Sequence, residues 1–396
     1  MESNTGKKRL WNRDFIFACC ANFCMFFAFY MLLPILALYL SERFEASRSV
    51  IGLVLASYTI MALLFRPFAG YMVDSFSRKP LLLFCYTAYI ACFGGYLLAG
   101  ALAVLAVFRI VHGMSLGMVT VSINTVAIDI MPSSRRGAGI GYFGVMSNIA
   151  MAIGPMTGLV MLGNLHNFQA VFATSLISGV IGLFCASMIH DRHKPVQPPD
   201  KTLSFDRFLL RKGIPNALAM ILMSFNYGAL STYVATYGRV EAGIPSSGGK
   251  FFVFLAAGLI VSRVVTARLI DKGRLTGISI AGIMLAIASF LTFIFIHIPL
   301  VFYLSGLGIG VGYGMLAPTF QTMLINLAPS NRRGTANATY LASWDLGIGL
   351  GVLFGGVIAE HYNYAAAYLA GVCLMALGGL IFIFYAAPYY NRHRLR

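Results

Sequence analysis

The chain has 396 residues and a mean hydropathy of +0.79, with 59% hydrophobic and only 11% charged residues, against roughly 25% charged in an ordinary soluble domain. This excludes a soluble globular enzyme, and at about 20 residues per membrane span about twelve spans fit, joined by short loops. The formal net charge of +16 would suit a nucleic-acid binder, but the placement of the basic residues gives it another cause.

Twelve apolar segments are predicted as transmembrane helices: 15–40, 50–72, 80–98, 102–128, 138–162, 167–190, 213–237, 251–270, 275–297, 299–326, 335–359 and 364–388. Runs such as 81–98 and 275–296 lack the alternation and turn signals of a membrane β-barrel, and a helical bundle is the other architecture that can span a bilayer. Ahead of the first segment, Met1 to Arg13 is polar and no small-residue cleavage site follows, so no removable signal peptide is expected. The long polar stretch 191–212, rich in Lys, Pro and Asp, reads as a cytoplasmic linker between an N-terminal bundle, 1–190, and a C-terminal one, 213–396. With the N-terminus inside, 21 of the 29 Lys and Arg residues fall in inner segments, and only Arg43, Arg48, Arg239 and Lys250 fall in outer loops. That bias places both termini in the cytoplasm and the chain in the plasma membrane. Topology and anionic inner-leaflet lipid then account for the basic charge, and no nucleic-acid partner is expected. The seven cysteines lie in apolar runs without metal-ligand spacing, so neither a metal nor a cofactor is expected.

Slid against itself by 197 residues, the sequence superimposes without a gap. Tyr30 falls on Tyr227, Arg66 on Arg263, Asp74 on Asp271, Gly113 on Gly310, Gly117 on Gly314, Gly154 on Gly351 and Gly158 on Gly355. Pro132, Ser133, Arg135, Arg136 and Gly137 likewise fall on Pro329, Ser330, Arg332, Arg333 and Gly334. Charged residues are scarce, so this coincidence implies two homologous six-helix halves, a transporter architecture with its substrate site expected near mid-membrane.

Three motifs follow the same frame. Gly70-Tyr-Met-Val-Asp74-Ser-Phe-Ser-Arg78-Lys79 joins spans two and three, and a degraded copy, Ala267-Arg-Leu-Ile-Asp271-Lys-Gly-Arg274, joins spans eight and nine. Span four carries Arg109-Ile-Val-His-Gly113. Over essentially the whole chain these resemble the signature loop and fourth-helix arginine pattern of the major facilitator superfamily. The resemblance implies an all-α fold of twelve transmembrane helices in two pseudo-symmetric bundles, working by alternating access. It also implies a gating latch at Asp74 and Arg78, repeated more weakly at Asp271 and Arg274, with Arg66 and Gly70 grouped beside it. Physically, the four-residue step from Gly70 to Asp74 keeps both on one helix face, where glycine lets a neighbour approach. Asp74 can then serve a helix N-terminus, with Arg78 as a charge-assisted partner.

Span five carries Gly141, Ala150, Gly154-Pro155 and Gly158-Leu159. This resembles the fifth-helix motif of the superfamily's drug/proton antiporters, with Ala150 and Leu159 replacing two of its glycines. Pro155 is expected to kink the span and give it a hinge. The second half keeps Gly351, Gly355 and Gly356 but has Val352 in place of the proline.

Of the 13 acidic residues only Asp345 is expected deep in a span, ten residues after Thr335, or about 15 Å into a core roughly 30 Å thick. A midplane carboxylate is expensive to keep charged and marks a functional site, here one suited to binding and releasing a proton. Arg109 and His112 are its candidate basic partners, because their counterparts Gly306 and Ile309 are uncharged and the shared scaffold does not require them. Asn22, Tyr30, Tyr58, Asn124, Asn148, Asn226, Tyr227, Gln321 and Trp344 are candidate substrate contacts, and Asn148 overlays Asp345. No nucleophile elbow, phosphate loop or paired catalytic carboxylates occur, so transport energy should come from a gradient. The chain therefore reads as a monomeric secondary transporter that exports a small amphipathic molecule in exchange for protons. The alternative is a proton symporter or facilitator for a polar metabolite such as a sugar or organic anion.

Overall fold

The computed structural model describes residues 10–46, 48–190, 208–244 and 247–395; most of the expected linker, 191–207, lies outside them. Twelve long helices follow in chain order: α1 Arg13–Phe44, α2 Arg48–Ser75, α3 Arg78–Leu98, α4 Leu102–Ile130, α5 Arg136–Leu165 and α6 Phe168–Ser187. Then come α7 Ile214–Val240, α8 Ser247–Asp271, α9 Leu275–Phe295, α10 Pro299–Leu327, α11 Arg333–His361 and α12 Tyr364–Ile381. A π turn at Phe382–Ala386 carries α12 into a last short helix, α13, Ala387–His393. No strand occurs among the described residues, and 12 helical segments are long and apolar enough to cross a membrane. Large apolar side chains such as Leu53, Phe84, Leu98 and Val253 stand exposed, which suits a surface solvated by lipid.

The contacts divide the chain into two compact units, Met1–Thr202 and Leu203–Arg396. Inside the first, α1 packs on α5 and α6, α2 on α4, and α3 on α4 and α6. Inside the second, α7 packs on α11 and α12, α8 on α10, and α9 on α10 and α12. The repeat seen in the sequence reappears in the helix starts: Arg78 and Leu275, Leu102 and Pro299, and Arg136 and Arg333 are each separated by 197 positions.

Lipid tails give apolar helices no reason to leave the bilayer for one another, so close packing and internal hydrogen bonds must hold each unit. Glycine supplies the packing at equivalent points. A Cβ on Gly113 would run into the Tyr58 carbonyl of α2, and one on Gly310 into the Leu255 carbonyl of α8. Backbone cannot swing aside as a side chain can, so Gly310→Ala should lower thermal stability by about 1–3 kcal/mol. Gly277→Ala on α9, where nothing stands within 4 Å, should leave it unchanged or raise it. Melting curves of the two purified variants test this, and equal stabilities would contradict it.

Buried tyrosines supply the hydrogen bonds, each donating to a neighbouring helix's carbonyl: Tyr86 to Ala21 (2.8 Å), Tyr89 to Met25 (2.9 Å) and Tyr313 to Met223 (2.7 Å). Helix starts are capped by side chains that accept otherwise orphaned N–H groups. Asn12 caps α1, Asn167 caps α6 and Asn363 caps α12. The Glu241 carboxylate, just past α7, also receives the Tyr364 and Ala365 N–H groups at 2.7 and 3.0 Å, tying the start of α12 to the end of α7.

One expectation needs adjustment. The paired arginines counted as inner-loop charges do not all lie in loops: Arg136 and Arg333 are the first residues of α5 and α11 and are buried. A preceding 3₁₀ turn (Ser133–Arg135, Ser330–Arg332) turns each inward. Besides Pro155, Pro67 and Pro318 also lie inside helices, α2 and α10. Helix α5 itself continues past Pro155 to Leu165.

Candidate functional site

The signature loop closes on itself within the first unit. Arg78, at the start of α3, pairs with Asp129 near the end of α4 and lies 3.7 Å from Asp74, one turn back on α2. All three side chains are largely buried, so the guanidinium is held between two carboxylates where screening by water is weak. Arg66 and Gly70 are buried further along α2. In the degraded copy Arg274 is exposed at the start of α9 and makes no ion pair among the described residues, while Asp271, at the end of α8, is half-buried and engaged by other groups.

Deeper in the same unit, Arg109 is 2% exposed and its guanidinium lies 4.0 Å from the centre of the Tyr58 ring. This is a cation–π contact of the kind that gains strength away from water. One turn on, His112 is enclosed by Tyr58, Tyr89, Phe93 and Tyr96, with ring centroids 4.7–5.6 Å away. Its Nδ1 is hydrogen-bonded with the Tyr96 hydroxyl at 2.9 Å, and its Nε2 has no partner among the described residues. Phe29 stacks on the other side of Tyr58 at 5.1 Å and touches Tyr30 at 5.0 Å. The fourth-helix arginine pattern is thus held inside an aromatic nest, and no carboxylate of its own unit pairs with it among the described residues.

In the second unit the candidates gather on α7, α10 and α11. Tyr227 and Trp344, both half-buried, lie 5.3 Å apart, and Tyr313 backs them at 4.9 and 5.9 Å. Tyr313 is itself fixed by its bond to Met223. Asp345 follows Trp344 directly, half-buried near the middle of α11. The result is an aromatic face backed by Tyr313 and next in sequence to a half-buried carboxylate.

The other candidates lie as follows. Asn22 donates to the Phe143 carbonyl at 3.2 Å, joining α1 to α5, and Asn124 donates to Thr120 of its own helix at 2.8 Å. Asn226 is fully buried, with its amide against Gly371 of α12. Gln321 donates to Asn337 at 2.8 Å, bridging α10 and α11, and Asn148 is buried on α5. Gly154 and Gly158 of the fifth-helix motif lie against α1, where a Cβ on either would meet Met31, and Gly141 is buried on the same helix.

Two residues escaped the sequence reading. Asp129 was grouped with the loop acids, yet its repeat counterpart is Asn326, the same one-sided charge that singled out Arg109. Tyr313, whose counterpart is Leu116, gave only the signal of an aromatic one turn beyond Ile309, the counterpart of His112.

The family profile of the Major Facilitator Superfamily matches residues 18–351 and, again, 273–395. Among curated proteins, the chain is 26% identical over 361 residues to the staphylopine export protein of Staphylococcus aureus, covering 87% of this chain and 89% of that one. It is 24% identical over 386 residues to the quinolone resistance protein NorA of the same species, covering 89% and 92%. Among solved structures, the human organic anion transporter MFSD10 superimposes with a TM-score of 0.82 at 16% identity, covering 93% and 98%. The Escherichia coli fucose:proton symporter gives 0.77 at 16% identity, covering 95% and 99%. The family profile spans the chain, the repeated six-helix units match in register, and the solved transporters share the fold: the protein belongs to the Major Facilitator Superfamily, a multi-pass membrane transporter and not an enzyme.

Proposed function

We propose that this transporter exports a small amphipathic molecule from the cytoplasm in exchange for protons, with both termini on the cytoplasmic side. The observation that carries this reading is Asp345, near the middle of α11 and next in sequence to Trp344, whose ring forms an aromatic face with Tyr227. An apolar, aromatic substrate finds a flat partner there, and the neighbouring carboxylate is suited to take up a proton as the substrate leaves. If substrate and proton bind in competition, each carries the carrier back for the other, which is exchange. The positive-inside distribution of Lys and Arg supports the orientation. The two curated relatives support the direction, one being named for export and the other for quinolone resistance.

The test uses everted vesicles with an acidic lumen and norfloxacin as a fluorescent probe. Accumulation in the lumen that collapses when nigericin dissipates the pH gradient is the expected result. Accumulation indifferent to the gradient, or movement of probe and protons in the same direction, would establish the facilitator or symporter alternative.

A further inference from the structure

Helix α8 carries the repeat counterpart of Arg66, Arg263. Arg263 stands eight residues before the end of α8 at Asp271, or about 12 Å along the axis at 1.5 Å per residue, so it is inside the membrane-spanning segment. Its helical neighbours on the same face, Leu259, Thr266, Ala267 and Ile270, are all buried, whereas Val261, Val264 and Val265 on the opposite face are exposed. Arg263 therefore faces the interior of its unit and not the lipid, and it cannot be explained as a side chain reaching out to a headgroup. Among the described residues it makes neither a hydrogen bond nor an ion pair, and its Nε is buried without a partner. The phenols of Tyr227 and Tyr340 are close enough to feel its charge, but neither is an anion at neutral pH. The side chain as a whole is only half-buried, more open than the residues stacked above and below it. Its repeat counterpart Arg66 is buried and already engaged by other groups, so the scaffold accepts an arginine at this position but leaves it vacant only in the second copy. An intramembrane cation without a counterion is costly, and one that faces inward and stays accessible is placed for an anion that comes and goes.

We infer that Arg263 is the anion-recognition group of the transport site and that the transported molecule carries a carboxylate, which the guanidinium holds while the aromatic part lies on Tyr227. This rests on the export reading above for the existence of a substrate and adds its chemical class. The planar guanidinium offers paired donors to both carboxylate oxygens, which an ammonium group cannot do in the same way.

The experiment measures binding to the purified full-length protein, by thermal shift and fluorescence quenching, of matched aromatic carboxylates and their primary amides: indole-3-acetate, 1-naphthoate and norfloxacin. Carboxylates should bind at least about tenfold more tightly than their amides. Arg263→Gln should erase that preference, and Arg263→Lys should restore part of it. Ligand-free Arg263→Gln should melt at the same temperature as the wild type or higher, since no partner is lost and an unpaired charge is removed. Equal affinity for acids and amides, no binding of any acid, a preference that survives Arg263→Gln, or a lowered melting temperature of that variant would each overturn the inference. Gradient-driven export of a neutral or cationic probe that is indifferent to Arg263→Gln would also overturn it while leaving proton-coupled export standing. Loss of pH coupling in the vesicle assay, with acid binding intact, would do the reverse.

Discussion

Asp345→Asn is expected to reduce pH-gradient-driven accumulation by about a hundredfold or more while leaving expression, membrane insertion and substrate binding in place. Asparagine keeps the shape and most of the hydrogen-bonding capacity of the carboxyl group but cannot exchange a proton, so the substitution isolates that one property. Because asparagine can still donate and accept hydrogen bonds where the carboxyl group stands, the fold should be kept. Substrate exchange in the absence of a gradient should continue, because a carrier that cannot take up its proton still alternates with substrate bound. Counterflow measured beside gradient-driven uptake reads both properties from one preparation. A variant that still concentrates substrate with normal pH dependence would remove Asp345 from the coupling site.

Arg78→Gln is expected to destabilise the first unit by about 2–4 kcal/mol, because it removes the guanidinium shared by the two largely buried carboxylates of Asp74 and Asp129. The effect should be mostly recovered in Arg78→Gln with Asp129→Asn, where the strongest contact is removed from both sides. A double-mutant cycle between Arg78 and Asp129 should give a coupling of about 1.5 kcal/mol or more, and the cycle with Asp74, whose contact is 3.7 Å, clearly less. Asp74→Asn should then show itself mainly in gating, as altered cysteine labelling from the two sides of the membrane. If the Asp74 cycle gave the larger coupling, the geometric ranking of the two acids would be wrong.

The fold was legible because the bilayer fixes its dimensions. A span must be apolar for about 20 residues and must satisfy its own backbone, so segments such as 80–98 and 102–128 mark α3 and α4 without any knowledge of their neighbours. The repeat was legible for a similar reason: rare residues such as Arg66 and Asp74 stand out against an apolar background. Side-chain partnerships were not legible in this way. Asp129 and Arg78 are 51 positions apart and meet because α2, α3 and α4 pack together, which periodicity in a single helix does not encode. Asn22 and Asn226 have the same residue type as a cavity ligand, and only the packing of α1 on α5 and of α7 on α12 shows that the one bonds to Phe143 and the other lies against Gly371. The one-sided charge criterion reached Arg109, but an aromatic enclosure such as the one around His112 draws on α2, α3 and α4 together.

The order in which helices leave the ribosome gives the packing of α1 a consequence for biosynthesis. Its most extensive partners are α5 and α6 rather than its neighbour in sequence, so the packing of α1 is complete only once the chain has grown from Phe44 to Ser187. That is roughly 140 residues, or about 7–30 s at ordinary synthesis rates. During that interval the Ala21 and Met25 carbonyls gain their tyrosine donors once α3 is in place, while the Asn22 amide waits for the Phe143 carbonyl of α5. Nascent chains arrested before α6 should therefore be the ones that membrane quality control recognises, and chains released after Ser187 should escape it as a closed six-helix intermediate.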